Sequence, residues 1–154
     1  MIYLDTSALL AFTLTSEMEP GQFAATTQLF ELINTEQVKA VTSFYALHEL
    51  LVIALRNTSP DWEIGSELAR RALLKIFQTR LLYYPLPGRE DKLINARLFS
   101  ALRDATDLPH AIAAYAAGCE IIVGYDEHFR AIAEVIVYKT PDELITEFSL
   151  GGQA

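Results

Sequence analysis

The feature that most constrains the fold is a series of short apolar segments separated by longer amphipathic ones. Five segments are short, mostly apolar and rich in β-branched or aromatic residues, which predicts strands; they cover residues 2–4, 39–42, 81–84, 120–123 and 135–137. Strands separated by helices are joined by right-handed crossovers into a mostly parallel sheet. The sequence therefore predicts an α/β fold.

The segments between the strands have the apolar spacing of helices. Predicted helices cover residues 8–13, 22–34, 44–56, 61–78, 90–103 and 107–117, with a short helix after 126 and a last helix opened at 140–143. Ser43 is a suitable N-cap for the third of these helices. The helix at 90–103 is predicted to carry Ile94, Leu98 and Ala101 on one face.

Length and composition indicate one globular domain. The chain has 154 residues, 51% of them hydrophobic, and we expect a single domain over residues 1–150 with a flexible tail at 151–154. One cysteine excludes an internal disulfide, and three histidines far apart match no zinc motif. With no basic leader and no apolar run near the roughly 18 residues of a membrane span, we expect a cytoplasmic protein without membrane contact.

The charge is distributed unevenly along the chain. The formal net charge is −8, which by itself argues against a nucleic-acid binder, because phosphate contacts need Lys and Arg. Nine of the 12 basic residues, however, lie between Arg56 and Arg103, together with only five of the 20 acidic ones. The middle of the chain is therefore basic and both ends are acidic, so the middle segment is the expected contact for a phosphate backbone.

Four acidic residues are predicted to share one rim of the sheet. Asp5 directly follows the first strand, and Asp126 follows the fourth strand after two residues. Asp107 begins the helix before that strand, and Glu49 lies within the helix that leaves the second strand. In parallel sheets, sites lie beyond the carboxyl ends of the strands, so we expect these side chains to converge.

Such a convergence of carboxylates predicts a divalent metal. Buried carboxylates repel one another, and Mg²⁺ or Mn²⁺ resolves this because hard cations take oxygen ligands. Each acid also has a structural interpretation: the three aspartates as helix N-caps and Glu49 as an exposed helix acid. Asp104 is a fifth candidate, for which the interpretation as a surface loop acid is favoured. His110, one helical turn after Asp107, is a candidate to orient a phosphate or water, but a packed or exposed helix residue is the favoured interpretation. The joint pattern of four acids in four elements favours the metal site.

Four motifs in the sequence resemble those of PIN-domain ribonucleases. They are IYLDTSALL at residues 2–10, TSFYALHELL at 42–51, DLPHAIAA at 107–114 and GCEIIVGYDEHF at 118–129. Each motif alone is weak, but all four occur in the family's order across most of the chain. The sequence departs from the family at Gly124, where Thr or Ser is common, which removes a hydroxyl near Asp126. Pro109, in the first turn after Asp107, is also uncommon.

The resemblance implies a three-layer α/β/α sandwich and Mg²⁺- or Mn²⁺-dependent cleavage of RNA. It implies that Asp5, Glu49, Asp107 and Asp126 are both the metal ligands and the catalytic residues. Among PIN proteins, the chain is most similar to VapC-type toxins of toxin–antitoxin pairs. Similarity to those toxins implies that the chain forms a homodimer, cleaves an RNA substrate and is inhibited by a small antitoxin that occludes the site.

Two other functions are compatible with the sequence. A non-catalytic binding module that retains the PIN fold is favoured by Gly124 and by the acidic composition. A phosphoryl-transfer enzyme with Asp5 as nucleophile, similar to haloacid dehalogenases, is a third hypothesis. That class usually carries a second Asp two residues later, where this chain has Ser7.

Overall fold

The computed structural model describes residues 1–58 and 60–151. In the described residues, the elements follow in the order β1 (Ile2–Leu4), α1 (Thr6–Thr13), α2 (Pro20–Asn34), β2 (Ala40–Ser43), α3 (Phe44–Asn57), α4 (Trp62–Phe77), β3 (Leu82–Tyr84), α5 (Arg89–Asn95), α6 (Leu108–Ala116), β4 (Ile121–Val123), a 3₁₀ helix (Glu127–Ile132), β5 (Val137–Lys139) and α7 (Pro141–Gly151).

All five strands are parallel and have the order β3-β2-β1-β4-β5. The chain adds β2 and β3 on one side of β1 and then returns to add β4 and β5 on the other side. The strand order therefore reverses between β1 and β4, and a crevice forms beyond their carboxyl ends. Asp5 lies at this point, since its backbone N–H donates to the Val123 carbonyl at the end of β4 (3.1 Å).

The helices cover both faces of the sheet. Ile2 and Leu4 belong to the core under α1–α4 and α7, whereas Tyr3 belongs to the core under α6 and the 3₁₀ helix. This alternation follows from the pleat of a strand, in which successive side chains point to opposite faces. The predicted three-layer α/β/α sandwich with a parallel sheet is confirmed.

Most predicted elements occur within two residues of their expected bounds, but the helix predicted at 90–103 is wrong. Helix α5 ends at Asn95, and the chain continues to 101 in turns. These turns bury Phe99, which is 1% exposed, against Tyr115 of α6 (ring centroids 6.0 Å apart). Ile94 is instead 71% exposed. The apolar spacing of Ile94 and Leu98 therefore does not mark the buried face of this segment. The core takes up the ring of Phe99 instead.

No helix in the described part of the chain is long and apolar enough to cross a membrane. The tail predicted at 151–154 begins with Gly151, the last residue of α7. The rest of that predicted tail, 152–154, lies outside the described residues.

Candidate functional site

The four predicted acids line one pocket of about 190 Å³ at the carboxyl end of the sheet. Asp5 follows β1, Glu49 lies in α3, Asp107 precedes α6 and Asp126 precedes the 3₁₀ helix. The pocket wall is completed by a few polar and apolar side chains: Thr6, Ser7, Leu10, Ile53, Thr106, His110 and Phe129. The structure thus brings the four acids together, and their roles as ligands and catalytic groups stay predictions.

Asp5 is fixed in the pocket by helix α1. Its Oδ1 accepts hydrogen bonds from the Ser7 hydroxyl (2.7 Å) and from the Ala8 backbone N–H (3.0 Å), so Asp5 is the N-cap of α1. Burial raises the pKa of Asp5, against the opposing effects of the His110 ring and these hydrogen bonds. The cap uses one carboxylate oxygen and leaves the other without a capping role, so the capping interpretation does not compete with a metal role.

Gly124 provides the space in which the Asp5 carboxyl group lies. A Cβ atom at residue 124 would be 2.2 Å from Oδ1 and 2.4 Å from Oδ2 of Asp5. The next residue, Tyr125, donates its backbone N–H to the Ser7 hydroxyl (2.6 Å), which in turn donates to Asp5. The sequence placed the effect of Gly124 at Asp126, whereas in the structure Gly124 packs directly against Asp5.

Glu49 is oriented by two side chains. Its Oε2 accepts a hydrogen bond from the Thr6 hydroxyl (2.5 Å) and one from Nε2 of His110 (2.7 Å). Burial opposes ionisation of Glu49, but the hydrogen bonds from His110 and Thr6 outweigh it and lower the pKa of the carboxyl group. Glu49 is therefore held as a carboxylate with a fixed direction, and the interpretation of Glu49 as a plain exposed helix acid does not describe it.

A buried hydrogen-bond chain extends behind Glu49. Nδ1 of His110 lies 2.8 Å from the Tyr3 hydroxyl, which lies 2.7 Å from the Ser43 hydroxyl. Because a carboxylate only accepts, Nε2 of His110 donates to Glu49; when the ring is neutral, Nδ1 accepts from Tyr3. Tyr3 then accepts from Ser43, which itself accepts the Ala46 backbone N–H as the N-cap of α3 (3.2 Å).

The sequence missed this role of His110. The ring is only 4% exposed and packs edge-on against Tyr3, Tyr45 and Phe129, with centroids 5.0 to 6.2 Å apart. A buried polar ring needs partners for both nitrogens. No sequence pattern pairs residue 110 with residues 3 and 49, which approach it only through the packing of α6 on the sheet.

Asp107 is the electrostatically strained member of the pocket. It makes no side-chain capping hydrogen bond to α6, and its buried Oδ2 has no hydrogen-bond partner in the described structure. Burial and the negative charges of Asp126 and Asp104 raise the pKa of Asp107 to about 6. Nδ1 of His128 lies 3.4 Å from this oxygen without forming a hydrogen bond to it. A buried oxygen without a hydrogen-bond partner, beside two other carboxylates, fits a divalent cation, so the donor set of this pocket suits a metal.

Asp126 forms the outer edge of the pocket. Its Oδ1 accepts the His128 backbone N–H (3.0 Å), so it is the N-cap of the 3₁₀ helix. The side chain is 37% exposed and lies 3.2 Å from Nδ1 of His128. The interpretation of Asp126 as an N-cap is therefore confirmed for Oδ1. The second carboxylate oxygen, Oδ2, has no part in the cap.

The basic middle segment is not uniformly available to a ligand. Arg70 and Arg71 both pair with Glu67 on the surface of α4, at 2.8 and 2.6 Å. Arg103, in contrast, lines a larger cavity of about 690 Å³ that also contains Asp104 and His128. Because Asp104 lies three residues before Asp107 and His128 lies two residues after Asp126, this cavity adjoins the acidic pocket.

The fold and the pocket define a small α/β protein whose acids gather beyond the carboxyl ends of its central strands. The family model described as PIN domain matches residues 1–128. The chain belongs to the PIN domain family.

Solved structures of VapC proteins share this fold. VapC20 of Mycobacterium tuberculosis, described as a sarcin-ricin loop cleaving toxin, superposes with a TM-score of 0.63 at 16% identity, covering 85% of this chain and 94% of that one. VapBC2 of Rickettsia felis, bound to a promoter DNA fragment, gives 0.63 at 19% identity over 91% and 98% of the two chains. VapBC-1 of nontypeable Haemophilus influenzae gives 0.60 at 18% identity over 92% and 99%. No curated protein matches the sequence.

Proposed function

We propose that this chain is a metal-dependent endoribonuclease that acts as the toxin of a toxin–antitoxin pair. The observation that carries the proposal is the convergence of four acids from four elements on one pocket, with a buried oxygen of Asp107 left without a hydrogen-bond partner. Membership of the PIN domain family supports a nuclease. The fold shared with VapC20, a toxin described as cleaving the sarcin-ricin loop, supports RNA as the substrate class.

The proposed ligands of Mg²⁺ or Mn²⁺ are Asp5, Glu49, Asp107 and Asp126. When bound, such a cation polarises the phosphate and activates water for hydrolysis. The chain itself fixes the geometry: α1 holds the Asp5 carboxyl group, and Thr6 and His110 hold that of Glu49.

The proposed substrate approaches through the cavity next to the pocket. Arg103 lines that cavity and, in the described residues, makes no ion pair with an acid. A guanidinium group there suits a phosphate of the RNA backbone. This position explains how a chain with a net charge of −8 could bind RNA.

The proposed protein partners are a small antitoxin and a second copy of the chain, in the cytoplasm. Two of the neighbouring structures are VapBC proteins. Helix α5 has no buried residue, and the apolar side chains around it are exposed by 45 to 71%: Leu86, Leu93, Ile94 and Leu98. Exposed apolar side chains on neighbouring turns support a protein contact on this side.

The test compares Asp5→Asn with wild type in RNA cleavage and in Mn²⁺ titration calorimetry. Asparagine keeps the oxygen that accepts from Ser7 and Ala8, so α1 remains capped and only the charge is lost. We expect cleavage to fall at least about a hundredfold, which corresponds to the loss of about 2.7 kcal/mol of transition-state stabilisation. Asp61→Asn, at an exposed position without a side-chain cap, is the matched control.

Undiminished cleavage by Asp5→Asn would refute the metal mechanism. Carboxylate-dependent binding of Mn²⁺ without cleavage of any RNA would favour the non-catalytic binding module instead. The observation that favours the non-catalytic binding module is the net charge of −8, because RNA binding needs positive charge.

A further inference from the structure

We propose that Asp104, Asp107 and His128 form a divalent-cation position at the mouth of the pocket, with one nitrogen ligand that favours Mn²⁺ over Mg²⁺. The proposal deepens the proposed metal-dependent function, on which it rests. It adds two residues that the four-acid set does not contain.

The three side chains meet although they come from different elements. Asp104 lies in the loop before α6, Asp107 directly precedes that helix and His128 lies in the 3₁₀ helix after β4. One ligand atom from each lies within 4.8 Å of the other two. Nδ1 of His128 is 3.4 Å from Oδ2 of Asp107, a separation comparable to that of neighbouring ligands on one ion.

The buried oxygen of Asp107 points to a missing ligand at this place. The residue is only 5% exposed, and its Oδ2 has no hydrogen-bond partner in the part of the chain that the structure describes. A buried carboxylate oxygen without a partner is costly. A cation held between Asp104, Asp107 and His128 would satisfy that oxygen.

Asp104 is already oriented for this role. Its Oδ1 accepts two hydrogen bonds from Thr106, one from the backbone N–H and one from the hydroxyl, both 2.8 Å long. These bonds lower the pKa of Asp104, and neither of them uses its other carboxylate oxygen. An ordinary surface loop acid, as the sequence favoured for Asp104, would be exposed in the same way. That interpretation does not explain why Asp104 lies beside His128.

The nitrogen ligand determines which cation the position prefers. Mg²⁺ takes oxygen ligands almost exclusively, whereas imidazole suits first-row transition metals and Mn²⁺ accepts both carboxylates and imidazole. Two carboxylates with one imidazole therefore favour Mn²⁺. The competing explanation is that His128 only contacts Asp107 and Asp126, with no cation at all.

The experiment records ¹⁴N modulation in pulsed EPR spectra of Mn²⁺ bound to the full chain, and titrates Mn²⁺ and Mg²⁺ by calorimetry. We expect ¹⁴N coupling in wild type and in His48→Gln, the matched control at an exposed position of α3. His128→Gln should lose the coupling and bind Mn²⁺ about tenfold more weakly, with little change for Mg²⁺. Because the His128 side chain is 68% exposed, the substitution leaves the core intact.

Three results would overturn the proposal: no Mn²⁺ binding by wild type, no ¹⁴N coupling in wild type, or coupling that persists in His128→Gln. The last result would assign the nitrogen to another histidine. Asp5→Asn separates this proposal from the proposed function, because it should abolish RNA cleavage and keep the ¹⁴N coupling. RNA cleavage by wild type without ¹⁴N coupling would retain the ribonuclease and refute the His128 ligand.

Discussion

The close packing of Gly124 against Asp5 gives the sharpest prediction. In Gly124→Ala, the added methyl group would lie 2.2 Å from the nearer oxygen of the Asp5 carboxyl group. Ordinary contact begins at 3.4 Å, so the carboxyl group must move by about 1.2 Å, the difference between the two distances. Asp5 cannot move this far and keep both hydrogen bonds that cap α1.

The expected magnitude follows from three effects. Overpacking a filled site costs about 1–3 kcal/mol, and weakening an N-cap costs about 1 kcal/mol. Replacing glycine by alanine stabilises by about 0.4–1 kcal/mol through the unfolded state. We therefore expect Gly124→Ala to lower the free energy of unfolding by about 1–4 kcal/mol. If Asp5 is the metal ligand proposed above, a displacement of about 1 Å should reduce RNA cleavage by about a hundredfold in protein that remains folded.

Urea unfolding, Mn²⁺ calorimetry and RNA cleavage measure these effects at a temperature where the variant is folded. Gly21→Ala is the matched control, because a Cβ at residue 21 of α2 meets nothing within 4 Å. If Gly124→Ala matches Gly21→Ala in stability, metal affinity and cleavage, the Asp5 carboxyl group does not need a residue without Cβ at position 124, and the reasoning is wrong.

Three further predictions concern the rest of the site. Tyr3→Phe removes the hydroxyl group that lies 2.8 Å from Nδ1 of His110, so we expect about a tenfold lower kcat with unchanged RNA affinity. The ¹⁵N chemical shifts of the imidazole should change as well, and unchanged shifts would contradict the hydrogen-bond chain. In the metal-free protein, Asp107 retains a proton that the unfolded chain loses between pH 3.8 and about 6, so stability should fall as the pH rises through this window. Asp107→Asn should remove that slope in urea titrations, and an unchanged slope would assign it elsewhere. Arg103→Glu should weaken RNA binding and reduce its salt dependence more than Arg71→Glu, in filter-binding assays at several salt concentrations; equal effects would exclude the cavity as the RNA path.

Local sequence signals determined most of the fold. Strand β1 and the N-caps Asp5 and Ser43 depend on neighbouring residues only, and they occur where the sequence predicts them. The last helix, predicted to open at 140–143, does as well, and Thr140 and Glu143 form a capping box there with two reciprocal hydrogen bonds of 2.8 and 3.2 Å. The rule that sites lie beyond the carboxyl ends of parallel strands was enough to bring the four acids to one rim.

Only the tertiary structure decided how those acids are held. His110 contacts Glu49 and Tyr3 across 61 and 107 residues of sequence, and Gly124 contacts Asp5 across the β1–β4 pair. The end of α5 was likewise decided by the burial of Phe99 under α6. Periodicity and capping report on residues a few positions apart, whereas these contacts depend on the order of strands in the sheet, which sets the long-range neighbours of each side chain.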